Sequence, residues 1–112
     1  MYFGLPNETV SQICSVFQQH PEMQLAILYG SRAMGTYRKN SDIDLTFKGE
    51  QLNHSILSQI ETKLDDLLLP LTFDLSLYSQ IDNLSLCEHI NRVGVVFYDQ
   101  SSTVSPSTRP CR

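Results

Sequence analysis

Residues 71 to 78 read LTFDLSLY, with an apolar side chain at every second position. Strict alternation is the period of a strand, because successive strand side chains point to opposite faces. Leu71, Phe73, Leu75 and Leu77 therefore share one face, and Thr72, Asp74, Ser76 and Tyr78 share the other. A chain built around such a segment forms a sheet with one apolar face and one face carrying polar groups, an acid among them.

The remaining segments supply partners for that strand. Asn7 is placed to cap a helix whose apolar residues Val10, Ile13, Cys14 and Phe17 follow helical spacing. His20-Pro21 stops it, since proline disfavours helical geometry in the residue before it. QLAILY (24–29) is a short apolar run ending at a glycine and predicts a buried strand. Residues 31–40 are polar, contain Gly35 and have room for one helical turn; IDLTFK (43–48) predicts a second strand. A helix is expected from His54 to Leu68, with Ile56, Leu57, Ile60, Leu64, Leu67 and Leu68 on one side and Pro70 beyond its end. A short helix over Leu84–Arg92 and a strand over Gly94–Tyr98 complete the order αβ(loop)βαβαβ. From Asp99 the chain reads DQSSTVSPSTRPCR, with little to bury, so we expect a domain over 1–98 and a disordered tail over 99–112.

A chain of 112 residues supports one domain. Its formal charge of −4 argues against a broad nucleic-acid footprint. No apolar run approaches the ~18 residues of a membrane span, and MYFGLPNET lacks the basic start of a secretory signal. The three cysteines (Cys14, Cys87, Cys111) contain no CxxC and read as core thiols of a cytoplasmic protein rather than as a zinc site.

The chemistry concentrates in YGSRAMGTYRKNSDIDL, residues 29–45. Asp42 and Asp44 are two apart at the start of a strand and project together. Neighbouring carboxylates repel, which raises a pKa or calls for a cation. Mg²⁺ suits this arrangement, since it takes one or two protein carboxylates plus phosphate oxygens and water. If the strand of Asp74 lies beside that of Asp44, three carboxylates are available to hold two Mg²⁺ ions for an in-line displacement at phosphorus. Gly30 lets the backbone approach a phosphate closely, Ser31 adds a hydroxyl donor, and Arg32, Arg38 and Lys39 supply positive charge. Taken singly each signal has an ordinary explanation: a turn, a cap, a solvated strand position. The combined order of strand, GS, ten residues, D-I-D and then a third acid is far more specific.

GSRA and SDIDL, spaced as GS-x10-D-I-D-L, resemble the nucleotidyltransferase superfamily of DNA polymerase beta. The short chain is more closely similar to the minimal nucleotidyltransferases, the antitoxin-like partners of HEPN-domain toxins. The resemblance covers about residues 7 to 98. It implies an α+β fold with a mixed sheet flanked by helices, ATP as substrate and Mg²⁺ as cofactor. It also implies transfer of AMP to a hydroxyl, a tyrosine of the HEPN partner. By position, Gly30 and Ser31 match the phosphate-binding turn, Asp42 and Asp44 the metal pair, and Asp74 the third acid, which binds the catalytic metal and helps activate the acceptor. Arg32 is the nearest cation to the turn, because Met34 stands where the family often has a second basic residue.

Two other readings compete. The chain is alternatively a non-catalytic nucleotide- or protein-binding module that masks its partner sterically, with LDDLLLPL (64–71) as the exposed apolar surface; the plainer account of that segment is a helix end packed on the sheet. A phosphatase using the same acids leaves the Gly-Ser turn without a purpose. His20, His54 and His89 lie at no metal-ligand spacing and read as surface or capping residues. Tyr29 and Tyr37 flank the turn, where Tyr29 reads as core and Tyr37 as the better candidate to stack on a base.

Overall fold

The computed structural model describes residues 4–35 and 42–100. The elements run α1 (Asn7–Gln18), β1 (Leu25–Tyr29), α2 (Ser31–Met34), β2 (Ile43–Lys48), α3 (His54–Asp66), β3 (Phe73–Leu77), a 3₁₀ turn (Tyr78–Gln80), α4 (Leu84–Val93) and β4 (Val95–Asp99). The four strands form one mixed sheet in the order β3-β2-β1-β4. β1 pairs antiparallel with β2 and β4, while β2 and β3 are parallel. A parallel pair needs a long crossover, and α3 supplies it. The result is the expected α+β fold, a mixed sheet flanked by helices.

Strand parity divides the sheet into two unlike faces. Ala26 and Leu28 of β1, Ile43, Leu45 and Phe47 of β2, and Leu77 of β3 face α1 and α3 and form the main core with Ile13, Phe17, Ile60 and Leu64. Phe17 stands at its centre, edge-on to Phe47 (5.5 Å), Phe97 (6.3 Å) and Tyr98 (5.5 Å). The opposite face is only partly covered, by α4: Ile27, Tyr29 and Ile90 form a small second cluster with Leu86 and Ile81 at its margin. The polar residues of β2 and β3 lie on this second face.

Several local expectations shift. Asn7 does not cap α1; Pro6 occupies that position, extended, and its carbonyl accepts the first helical hydrogen bond from the Val10 N–H (3.1 Å). Asn53 and Asn83 are the side chains that do cap, accepting from the backbone N–H groups of Ile56 (2.9 Å) and Leu86 (3.1 Å). α3 ends at Asp66 rather than Leu68, because Leu68 turns into the left-handed region (φ 56°). The alternating segment enters the ladder only at Phe73, with the Thr72 carbonyl accepting from the Ile43 N–H (2.9 Å). Gly94 caps α4 rather than opening β4, and a Cβ there would collide with the Ile90 carbonyl. In LDDLLLPL, Leu64 is buried and Leu67, Leu69 and Leu71 pack on the core; Leu68 is exposed.

His20 is the clearest departure: it is buried, not superficial. Its Nδ1 lies 3.9 Å from Glu22 Oε1, and its Nε2 has no hydrogen-bond partner among the described residues. Burial and the charge of Lys63 lower its pKa below 6.5, against the pull of Glu22. Cys14 is buried as expected and Cys87 is half-buried and free. Of the expected tail over 99–112, Asp99 instead ends β4 opposite Leu25 and Gln100 donates to the Gln24 and Pro21 carbonyls, while residues 101–112, with Cys111, lie outside the described residues. No helix among the described residues is long and apolar enough to cross a membrane.

Phe17→Ala removes the ring at which α1, β2 and β4 meet. It should cost about 3–5 kcal/mol, measured as a lower urea midpoint at an unchanged m-value.

Candidate active site

Three elements bring the acids together. Antiparallel pairing sets Tyr29 of β1 opposite Asp44 of β2, and parallel pairing sets Asp44 opposite Asp74 of β3. Tyr29, Asp44 and Asp74 thus form a row across three strands on the face that α4 only partly covers. Asp42 stands exposed two residues ahead of Asp44, at the mouth of β2. The next row is Ile27, Thr46 and Ser76. There the Ser76 hydroxyl donates to Thr46 Oγ1 (3.0 Å), and the Thr46 hydroxyl in turn reaches the Ser76 carbonyl (3.4 Å). One row further, Lys48 lies over the Tyr78 ring at 4.4 Å.

The Gly-Ser turn closes on the same row. Gly30 has φ 80° and ψ −157°, a conformation that side chains other than hydrogen strain to adopt. A Cβ at Gly30 would overlap the Asp44 carboxylate and stand 3.2 Å from its Cγ. Glycine is therefore required twice, for the turn and for the approach of Asp44 to the backbone. Ser31 opens α2, whose single turn ends at Gly35 in the left-handed region (φ 81°). Arg32 is buried at 3% exposure and engaged within the protein, whereas Met34 is half-exposed. Tyr37, Arg38 and Lys39, the other expected contributors on this loop, lie outside the described residues.

Electrostatics single out Asp44. Burial raises its pKa above the ordinary value of 3.8, the charges of Asp74 and Asp42 raise it further, and His89 draws it back. Tyr29 is also pushed up from 10.0, chiefly by burial; Ser76 opposes the shift, and Asp74 and Asp44 add to it. The site thus gathers negative charge where solvent is partly excluded.

Among the described residues no group of three or more His, Cys, Asp and Glu side chains forms a metal-binding cluster. The donor set nonetheless fits Mg²⁺, which keeps several waters and takes substrate phosphates rather than an all-protein cage. The excess negative charge around Asp44 is what a cation would neutralise.

His89 was misread; Tyr29 is buried in the core as expected, though it is not among the expected site residues. Its register places it in the carboxylate row. His89 meets the Tyr29 ring edge-on at 6.2 Å and is not a simple surface residue. Parity carried a signal for Tyr29, which immediately precedes Gly30 at the end of its strand; nothing local carried one for His89.

Strand, glycine turn and paired acids on a mixed sheet define a nucleotidyltransferase architecture. A family model described as polymerase beta, nucleotidyltransferase, matches residues 11–103, and the chain belongs to that family. No curated protein matches it by sequence. Among solved structures it is similar to a chain of a toxin-antitoxin crystal structure with AMP-PNP, at 24% identity and TM-score 0.65, covering 85% of this chain and 78% of that one. It is similar to the toxin-antitoxin MntA-HepT at 20% identity and TM-score 0.62, covering 88% and 76%. A third similarity is to a complex of tri-AMPylated Shewanella oneidensis HEPN toxin with MNT antitoxin, at 20% identity and TM-score 0.60, covering 87% and 76%. At these identities the likeness is one of fold.

Ionised Asp44 opposes folding, because its folded pKa lies above its unfolded one. The penalty is absent below about pH 3.8 and grows as pH rises through the folded pKa. Asp44→Asn should therefore melt at a higher temperature than wild type at pH 7 without divalent ions, and the gap should close on acidification toward pH 3.8. Calorimetry across that range checks it.

Proposed function

We propose that this chain is a Mg²⁺-dependent nucleotidyltransferase that moves AMP from ATP to a hydroxyl, a tyrosine of a HEPN-type toxin, and so acts as the antitoxin of a cytoplasmic pair. The observation that carries the proposal is the pairing of Asp44 with Asp74 in register beside a glycine turn in van der Waals reach of Asp44. Family membership supports the reaction class. The similar folds named with AMP-PNP and with an AMPylated HEPN toxin support the nucleotide and the acceptor.

Each residue then has a task. The Gly30 backbone and the Ser31 hydroxyl hold the β and γ phosphates, with Arg32 supporting the turn from beneath. Asp42 and Asp44 would hold the ion that grips the nucleotide, and Asp74 with them a second one. When bound, the two ions supply charge stabilisation at the α phosphate and at the departing oxygen. The acceptor oxygen bonds to the α phosphorus in line with the leaving pyrophosphate, whose bond to that phosphorus breaks. Asp74 faces the acceptor side and takes the hydroxyl proton. The domain over 1–98 carries all of these residues, and the acceptor comes from the partner.

ATP labelled on its α phosphate, incubated with Mg²⁺ and the co-expressed partner, should label the partner on tyrosine. Asp44→Ala and Asp74→Ala should each lower the rate by at least about 100-fold, and EDTA should abolish transfer. Neutralisation of the partner with no label, unchanged in both variants, would establish steric masking instead.

A further inference from the structure

Tyr29 occupies a junction that the proposed reaction leaves unexplained. It is the last residue of β1, adjoins Gly30 in sequence, and pairs with Asp44 across the ladder. A tyrosine facing carboxylates on a polar sheet face has no need to be buried, yet this one is 7% exposed. Its ring is held edge-on by His89 of α4 and packs with Ile27 and Ile90. Apolar packing beneath α4 ends at this ring, and the acid row begins there. The buried ring and the half-buried Asp44 are thus cross-strand partners at the boundary between the packing under α4 and the acid row.

Resting on the nucleotidyltransferase reading, we propose that Tyr29 is a positioning residue, whose His89-braced ring fixes the Asp44 carboxylate in its cation-binding orientation and shields it from solvent. A carboxylate walled in this way exerts a stronger field on a cation, because the local dielectric is lower. It also keeps one orientation instead of sampling several. Residues that orient metal-binding groups typically govern affinity by 10–100-fold, so the ring's contribution is measurable apart from turnover. The hydroxyl faces Ser76 of β3, on the far side of β2, and is secondary to the ring.

The direct probe is Mn²⁺ binding by paramagnetic resonance in the presence of AMP-PNP, with kcat and KM for ATP measured in parallel. Tyr29→Leu should weaken Mn²⁺ binding by about 10–100-fold, lower kcat and raise KM for ATP, because the ion held at Asp44 is the one that grips the nucleotide. Tyr29→Phe, which keeps the ring, should bind Mn²⁺ as wild type does. Where Tyr29→Leu melts too low to assay, Tyr29→Met decides, since it keeps apolar packing with Ile27 and Ile90 while removing the ring, and it should also weaken Mn²⁺. Mn²⁺ affinity unchanged in the deciding variant would overturn the proposal. A wild-type chain that transfers no nucleotide but binds Mn²⁺ in a Tyr29-dependent way would overturn the proposed function and leave this role standing.

Discussion

The register of β2 between its two neighbours sets everything else in this molecule. One ladder fixes Asp44 opposite Tyr29 and the other fixes it opposite Asp74, so three strands contribute to a single row. A slip of one residue would turn Asp44 into the core and bring Ile43 or Leu45 to the polar face. That slip is opposed by the buried side chains of Ile43, Leu45 and Phe47, none of which is appreciably exposed. The hydrophobic core on one side of the sheet thus enforces the geometry of the acids on the other.

The acid row comes at a cost to the free protein. Asp44 is partly buried beside two other carboxylates, with a raised pKa and a glycine turn against it. A divalent cation carrying phosphate oxygens, as proposed for this site, would relieve that burden. Strain of this kind belongs where binding occurs rather than in a purely structural sheet.

Much of this was legible in the chain because strand parity is a local property. IDLTFK named β2 to the residue, and the alternation of LTFDLSLY put Asp74 on the correct face. What the chain did not disclose was the strand order. That Asp74 lies beside Asp44, rather than at the far edge, depends on α3 crossing between parallel strands. His20 and His89 were misread for the same reason: their surroundings come from elements distant in sequence. Asn7 failed differently, since its neighbour Pro6 provides the helix-starting carbonyl and needs no side-chain cap. Arg32 was legible as a cation near the turn, but not as a buried one.

A cation-bound nucleotide would relieve the charge of the Asp44 row. The most direct measurement is thermal unfolding of wild type and Asp44→Asn with and without Mg²⁺ and AMP-PNP. Ligand at a hundredfold excess over Kd should stabilise wild type by about 2.7 kcal/mol, while Asp44→Asn, the more stable form when free, gains little and becomes the less stable of the two. An equal shift in both proteins, or none in wild type, would contradict the account.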